Sequence, residues 1–121
     1  MINSHDFQRQ LTREIEVNEI YLNPKLTLSE LAQAVGTNRT YLSNYLNSVL
    51  NTTFYDYINA FRLNRAIKML EDNDSTATTT EIAEACGFNS LSTFRRVFVR
   101  EKGCSFSQYK EQLSKTESNK I

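Results

Sequence analysis

Two groups of side chains in this sequence are suited to contact bases and phosphates rather than to fill a core. The first outward face comprises Asn38, Arg39, Thr40, Ser43, Asn44 and Asn47. The second outward face comprises Leu91, Ser92, Arg95 and Arg96, with either Val99 or Arg100 as a further outward residue. Arginine can bond guanine through two donors, asparagine can bond adenine, and serine or threonine can bond bases or phosphates. The chemistry that these residues favour is therefore hydrogen bonding to nucleic-acid base edges.

Apolar residues at helical spacing accompany both faces and predict one helix for each. In the first helix, from about residue 38 to residue 49, the predicted inward positions are Leu42, Tyr45, Leu46 and Val49. In the second helix they are Phe94, Val97 and Phe98. Of the outward residues, Asn44 and Arg95 are predicted to occupy corresponding places, and Arg96 could contact a phosphate or a base edge. A single polar face of this kind could simply be the solvent-exposed side of a helix. Two such faces, each after the same capped helix and turn, favour a role in binding.

The sequence repeats itself with an offset of 51 residues, and the repeat predicts the same local structure ahead of each outward face. The segments ELAQAVGTNRTYL and EIAEACGFNSLSTF carry it. In both copies a threonine lies three residues before a glutamate, Thr27 before Glu30 and Thr78 before Glu81, which is the spacing of a capping box. The sequence therefore predicts a short capped helix ahead of each outward face.

A glycine follows each of these short helices, and it predicts a tight turn. Gly36 and Gly87 can adopt the left-handed conformation that ends a helix. A short helix with alanines at close-packing positions, a glycine turn and a second helix make a helix-turn-helix arrangement. Beyond the turn the offset becomes 52 and pairs Asn51 with Gly103, two residue types that tolerate positive φ. A third helix is predicted to follow each of them.

The predicted fold is all-α, with two helix-turn-helix subdomains joined by a long linker helix and about seven helices. Residues 1–53 would hold the first helix and the first motif, and residues 54–71 the linker helix. Residues 72–113 would hold the second motif and a closing helix, and residues 114–121 a disordered tail. A linker of roughly 25 Å would hold the two outward faces near successive major grooves of B-DNA, about 34 Å apart.

Composition and residue pairing exclude several other classes of function. The net charge is zero, with 14 basic and 14 acidic residues, so any basic surface must be local. Cys86 is predicted to be a small core residue, and the single histidine offers no Cys/His pairing for metal or catalysis. The sequence also lacks a carboxylate pair with acid/base spacing and a glycine-rich phosphate loop. We therefore expect no enzyme activity, cofactor or metal site. No stretch approaches the roughly 20 apolar residues of a membrane span, and the start MINSHDFQRQ lacks the apolar core of a signal peptide, so we also expect no membrane contact and a cytoplasmic location.

Several motifs resemble the DNA-binding domain of AraC/XylS-type bacterial transcription regulators, over about Leu22 to Leu113. The resemblance is most specific in IAEACGFNSLSTFRRVFVREKGCSFSQYK and extends to TFYDYINAFRLNRAIKML. Two departures are Phe106 and Asn51, which stand where the family usually has proline and glycine. Both residues keep the capping or left-handed chemistry of their positions, so the fold is still expected.

The resemblance implies sequence-specific binding of double-stranded DNA by two major-groove reading helices, and regulation of bacterial transcription. It implies RNA polymerase as a further partner and a sensing or dimerisation region outside this chain. The chain would then be the output domain of a larger regulator, with a small free-standing regulator as the competing possibility. A helical protein-interaction module with merely solvated basic faces is the alternative from a different class of function.

Overall fold

The computed structural model describes residues 3–72 and 76–118, which form seven α-helices and no strand. The helices are α1 (Ser4–Thr12), α2 (Leu28–Val35), α3 (Arg39–Ser48), α4 (Phe54–Glu71), α5 (Thr79–Ala85), α6 (Leu91–Lys102) and α7 (Phe106–Ser118). A π-helical turn, Arg13–Val17, continues α1, and a 3-10 turn, Ile20–Leu22, follows it. The prediction of an all-α fold with about seven helices is confirmed.

The chain divides into two compact units, and the division falls inside α4. Unit 1 ends at Phe61 and unit 2 begins at Arg62. Unit 1 therefore contains α2 and α3, and unit 2 contains α5 and α6. Each helix-turn-helix motif has a hydrophobic core of its own.

The core of unit 1 fixes the inner side of α3. Leu42 and Leu46 of α3 are fully buried, together with Leu31 and Val35 of α2. Phe7 of α1 completes this core, and its ring meets the rings of two α3 tyrosines edge-on at 5.0 and 4.8 Å. Edge-to-face aromatic pairs add to the free energy that burial supplies. The buried residues therefore leave the opposite side of α3 to the solvent.

The core of unit 2 is a cluster of phenylalanines around α6. The ring of Phe94 lies 5.1 Å from that of Phe88, 5.0 Å from that of Phe106 and 5.9 Å from that of Phe98. Cys86 is fully buried in the same cluster, so its prediction as a core residue is confirmed. Burial raises the pKa of the Cys86 thiol to about 11, which keeps it protonated at neutral pH.

Both predicted capping boxes are present at the starts of α2 and α5. The Thr27 hydroxyl accepts the backbone N–H of Glu30 at 3.1 Å, and the Glu30 carboxylate accepts the N–H of Thr27 at 3.1 Å. Thr78 and Glu81 repeat both bonds at 3.1 Å. The hydrogen bonds from Thr78 hold the pKa of the Glu81 carboxyl below its usual value. Each box satisfies backbone donors that a helix start leaves open.

The turns after α2 and α5 have the predicted left-handed glycines. Gly36 has a φ of 90° and Gly87 a φ of 91°. Directly after them, the N–H of Thr37 bonds the carbonyl of Ala32 at 2.9 Å, and the Phe88 N–H makes the equivalent bond in unit 2 at 3.0 Å. Asn51 and Gly103 also have positive φ, 53° and 74°. The backbone bonds and the glycines together direct the chain from each short helix into the next one.

Replacing Gly87 with valine is expected to lower the free energy of unfolding by about 1–3 kcal/mol, because a β-branched residue is strained at positive φ. The control is Ser92→Ala, at an exposed position of α6, where the change should stay within about 0.5 kcal/mol. Urea unfolding followed by circular dichroism measures both values. Equal unfolding midpoints for the two variants would argue against a strained turn at Gly87.

Two expectations at helix ends were wrong. Val49 was predicted to face inward, but its side chain is 63% exposed, because it lies just after α3 and the core along this helix ends at Leu46. Disorder was predicted from Ser114 on its polar composition, but α7 is helical through Ser118. An ion pair of 3.6 Å between Glu111 and Lys115, one turn apart, supports this last part of α7. Residues 119–121 lie outside the described part of the chain.

Candidate nucleic-acid interface

The first residues of α3 and α6 are fixed by side-chain caps. The Asn38 Oδ1 accepts the backbone N–H of Tyr41 at 2.9 Å, and the Ser90 Oγ accepts the N–H of Thr93 at 3.1 Å. Asn38, which the sequence placed in the first outward face, is thus the N-cap of α3 and precedes the helix. Sequence reasoning missed Ser90 as the equivalent cap of α6, although a serine ahead of an apolar helical pattern is a start signal.

The two turns differ in length by one residue. One residue separates Gly36 from the cap of α3, whereas two residues, Phe88 and Asn89, separate Gly87 from the cap of α6. Phe88 is buried against the ring of Phe94, and Asn89 is the additional, exposed residue. Positions in α6 therefore correspond to positions in α3 that lie 52 residues earlier.

This longer turn corrects one pairing between the outward faces. Counted from the caps, Asn44 corresponds to Arg96, and Ser43 corresponds to Arg95. The prediction that Asn44 and Arg95 occupy corresponding places is wrong by one residue. The offset of 51 holds only as far as the turn, because the additional residue lies after Gly87.

The first outward face is mostly exposed along α3. Arg39, Thr40, Asn44 and Asn47 are exposed, and Ser43 is half-buried. A shallow surface hollow of about 350 Å³ is lined by Arg39, Thr40, Ser43 and Asn44, with Leu28 of α2 at its edge. Asn47 donates to the Ser43 hydroxyl over 3.5 Å, a long bond that a better partner can replace. This face offers amide and hydroxyl groups with one positive charge.

The second outward face is more basic than the first, and one of its predicted residues does not face outward. Ser92, Arg95 and Arg96 are exposed on α6, whereas Leu91 is half-buried and packs against the core of unit 2. Leu91 turns toward the core because Phe94, three residues later, lies on the same side of the helix. The three exposed residues, Ser92, Arg95 and Arg96, offer two guanidinium groups and one hydroxyl.

Among residues 3–72 and 76–118, no group of three or more histidine, cysteine, aspartate or glutamate side chains could hold a metal ion. None of the helices in these two ranges is long and apolar enough to cross a membrane.

Comparison with known proteins identifies the family. A family model described as a helix-turn-helix domain matches residues 31–112. The melibiose operon regulatory protein of Escherichia coli K12 is 33% identical over 86 residues, which cover 71% of this chain and 28% of that protein. The uncharacterized HTH-type transcriptional regulator YobQ of Bacillus subtilis is 30% identical over 93 residues, 77% of this chain and 38% of that protein. The chain thus spans well under half the length of these relatives.

Solved structures share the fold over nearly the whole chain. The DNA-binding domain of AdpA, crystallised with a target DNA, has a TM-score of 0.79 at 19% identity and covers 94% of this chain and 97% of that one. A transcriptional regulator with an AraC-type DNA-binding domain from Chromobacterium violaceum has a TM-score of 0.73 at 25% identity, with coverage of 91% and 96%. With the family match over residues 31–112, these findings confirm the resemblance: the chain belongs to the AraC-type family of helix-turn-helix DNA-binding domains.

Proposed function

We propose that this chain is a sequence-specific double-stranded DNA-binding domain that regulates bacterial transcription, with α3 and α6 as its two reading helices. One observation carries the proposal. Both helices follow a capped helix and a glycine turn, and both bury an apolar side while exposing residues that can bond base edges. A helix that is held in this way can enter a major groove with its outer side chains toward the bases.

The two outward faces suit different bases. On α3, Asn44 and Asn47 can each bond adenine through the side-chain amide, while Arg39 near the start of the helix can bond a base or a phosphate. On α6, Arg95 and Arg96 can each bond guanine through two donors or neutralise a phosphate. The bound site is therefore asymmetric, with one segment read by α3 and a different segment read by α6.

The relatives support a place for this domain in a longer regulator. They include proteins named as transcriptional regulators, and this chain spans 28% to 38% of the two described above. We propose that the domain is the output part of such a protein, with a sensing or dimerisation region elsewhere. RNA polymerase bound at a neighbouring promoter would be its partner, and the bacterial cytoplasm, where the chromosome lies, its place of action. The proposal assigns DNA binding and no catalytic step.

Selection from a random duplex DNA pool at low salt tests this function. The isolated chain should enrich a defined sequence as a monomer and without a small ligand, because both reading helices belong to one polypeptide. The logarithm of its affinity should fall linearly with the logarithm of salt concentration, with a slope of about −0.9 for each phosphate neutralised. A helical protein-interaction module would enrich no sequence and show no such slope.

A variant that lacks both outward faces is the matched control. Alanine at Arg39, Asn44, Arg95 and Arg96 removes exposed side chains and should leave the circular dichroism spectrum unchanged. This variant should lose the sequence preference and most of the salt dependence. If it binds the selected DNA as tightly as the unaltered chain does, α3 and α6 are not the reading helices.

A further inference from the structure

Val99 lies on the outer side of α6, among the residues that are available to DNA. Ser92 is seven residues before it and Arg96 three residues before it, so all three share one side of the helix. The opposite side holds Phe94, Val97 and Phe98, which are buried. Val99 is 49% exposed, and among residues 3–72 and 76–115 few large apolar residues have so much accessible surface. The sequence left open whether Val99 or Arg100 lies outward beyond Arg96, and both residues are exposed in the structure.

The folded chain gains little from valine at this position. A β-branched residue loses rotamer freedom in a helix, and the exposed half of its surface contributes no burial. Counted from the caps, Val99 corresponds to Asn47 of α3, which is exposed and polar. An aliphatic group thus occupies in α6 the place that a hydrogen-bonding group occupies in α3.

We infer that Val99 contacts the C5-methyl group of a thymine in the DNA segment read by α6, and thereby helps to determine specificity. Thymine is the one standard base with a methyl group in the major groove, and apolar side chains recognise it by contact. The guanidinium groups of Arg95 and Arg96 beside Val99 favour the approach of DNA over that of an apolar protein surface. This inference rests on the proposed function, and it requires an A·T pair close to the bases bound by these arginines.

Replacing thymine by uracil tests the contact directly, because this change removes the methyl group and leaves all hydrogen-bonding groups in place. In the DNA selected by the unaltered chain, the base pairs at which Arg96→Ala relaxes preference mark the segment read by α6. Each thymine in and beside this segment is then replaced singly by uracil. One replacement should weaken binding about fourfold, because that is the effect on affinity of removing one buried methyl group from an apolar contact.

The variant Val99→Ala should bind the thymine and uracil forms of that position with nearly equal affinity. Val17→Ala, at another exposed valine in unit 1, is the matched control and should keep the fourfold difference. Equal thermal midpoints for the two variants would show that both remain folded.

Each outcome has a distinct meaning. A fourfold loss that disappears only in Val99→Ala supports the inference. If no uracil replacement weakens binding, if Val99→Ala keeps the full loss, or if the selected segment has no A·T pair, the inference is wrong while the proposed function stands. Failure of the unaltered chain to select any DNA would overturn both.

Discussion

Replacing Phe94 with alanine is expected to lower the free energy of unfolding by about 3–5 kcal/mol, the largest effect of any single change considered. Phe94 is fully buried, and its ring lies within 6 Å of the rings of Phe88, Phe98 and Phe106. Alanine would remove the ring and leave a cavity that three rigid neighbours can fill only in part. Urea unfolding followed by circular dichroism measures the loss.

The control is Tyr55→Ala, an equally large truncation of an aromatic side chain that is 46% exposed on α4. It should cost well under half as much as Phe94→Ala, because water already covers much of the Tyr55 side chain. The Phe94 variant should also lose base preference in the segment read by α6, since this residue fixes the inner side of that helix. Similar unfolding midpoints for the two variants would mean that the phenylalanine cluster does not hold unit 2 together.

Asn44→Ala and Arg95→Ala are each expected to cost roughly 1–3 kcal/mol of binding free energy on the selected DNA site. Each variant should relax preference at only one segment of the site, because Asn44 belongs to α3 and Arg95 to α6. Both side chains are exposed, so the loss should come from binding and not from folding. Binding of every single base substitution in the site to each variant gives the measurement.

Lys68→Ala is the control for general electrostatic attraction. Lys68 is an exposed cation of α4, and its loss should at most weaken binding to all sequences alike. The double variant Asn44→Ala/Arg95→Ala should show nearly additive losses, since its two sites lie in separate units with separate cores. The model of two reading helices fails if both single variants lose preference at the same base pairs, or if neither loses any.

Local signals explain why the sequence predicted much of this fold. A capping box needs only two residues three apart, and a left-handed turn needs only a glycine at the right place. Both signals occur twice in this chain. The sequence alone therefore predicted the caps at Thr27 and Thr78 and the turns at Gly36 and Gly87. The repetition itself predicted a common arrangement for the two motifs.

Other features depend on packing or on the exact residue at which a helix begins. The change of offset from 51 to 52 is visible in the sequence, but the position of the α6 cap is not. The additional Asn89 moves the cap of α6 to Ser90, and so shifts the pairing of the two outward faces. Leu91 has the spacing of an outward residue near the helix start, yet the core of unit 2 draws it inward. The sequence left Val99 and Arg100 as alternatives for the outward position beyond Arg96, and the structure exposes both of them.

The phenylalanine cluster of unit 2 has a spectroscopic consequence, because the chain has no tryptophan and its tyrosines are unevenly distributed. Five of the six tyrosines precede the boundary at Phe61, and only Tyr109 follows it. Intrinsic fluorescence would therefore report mainly on unit 1. Ring-current shifts in proton NMR spectra would report on both units, since aromatic rings stand 4.8–5.0 Å apart around Phe7 and 5.0–5.9 Å apart in the phenylalanine cluster. Unfolding of the unlabelled chain that is seen by NMR but leaves tyrosine fluorescence unchanged would therefore be assigned to unit 2.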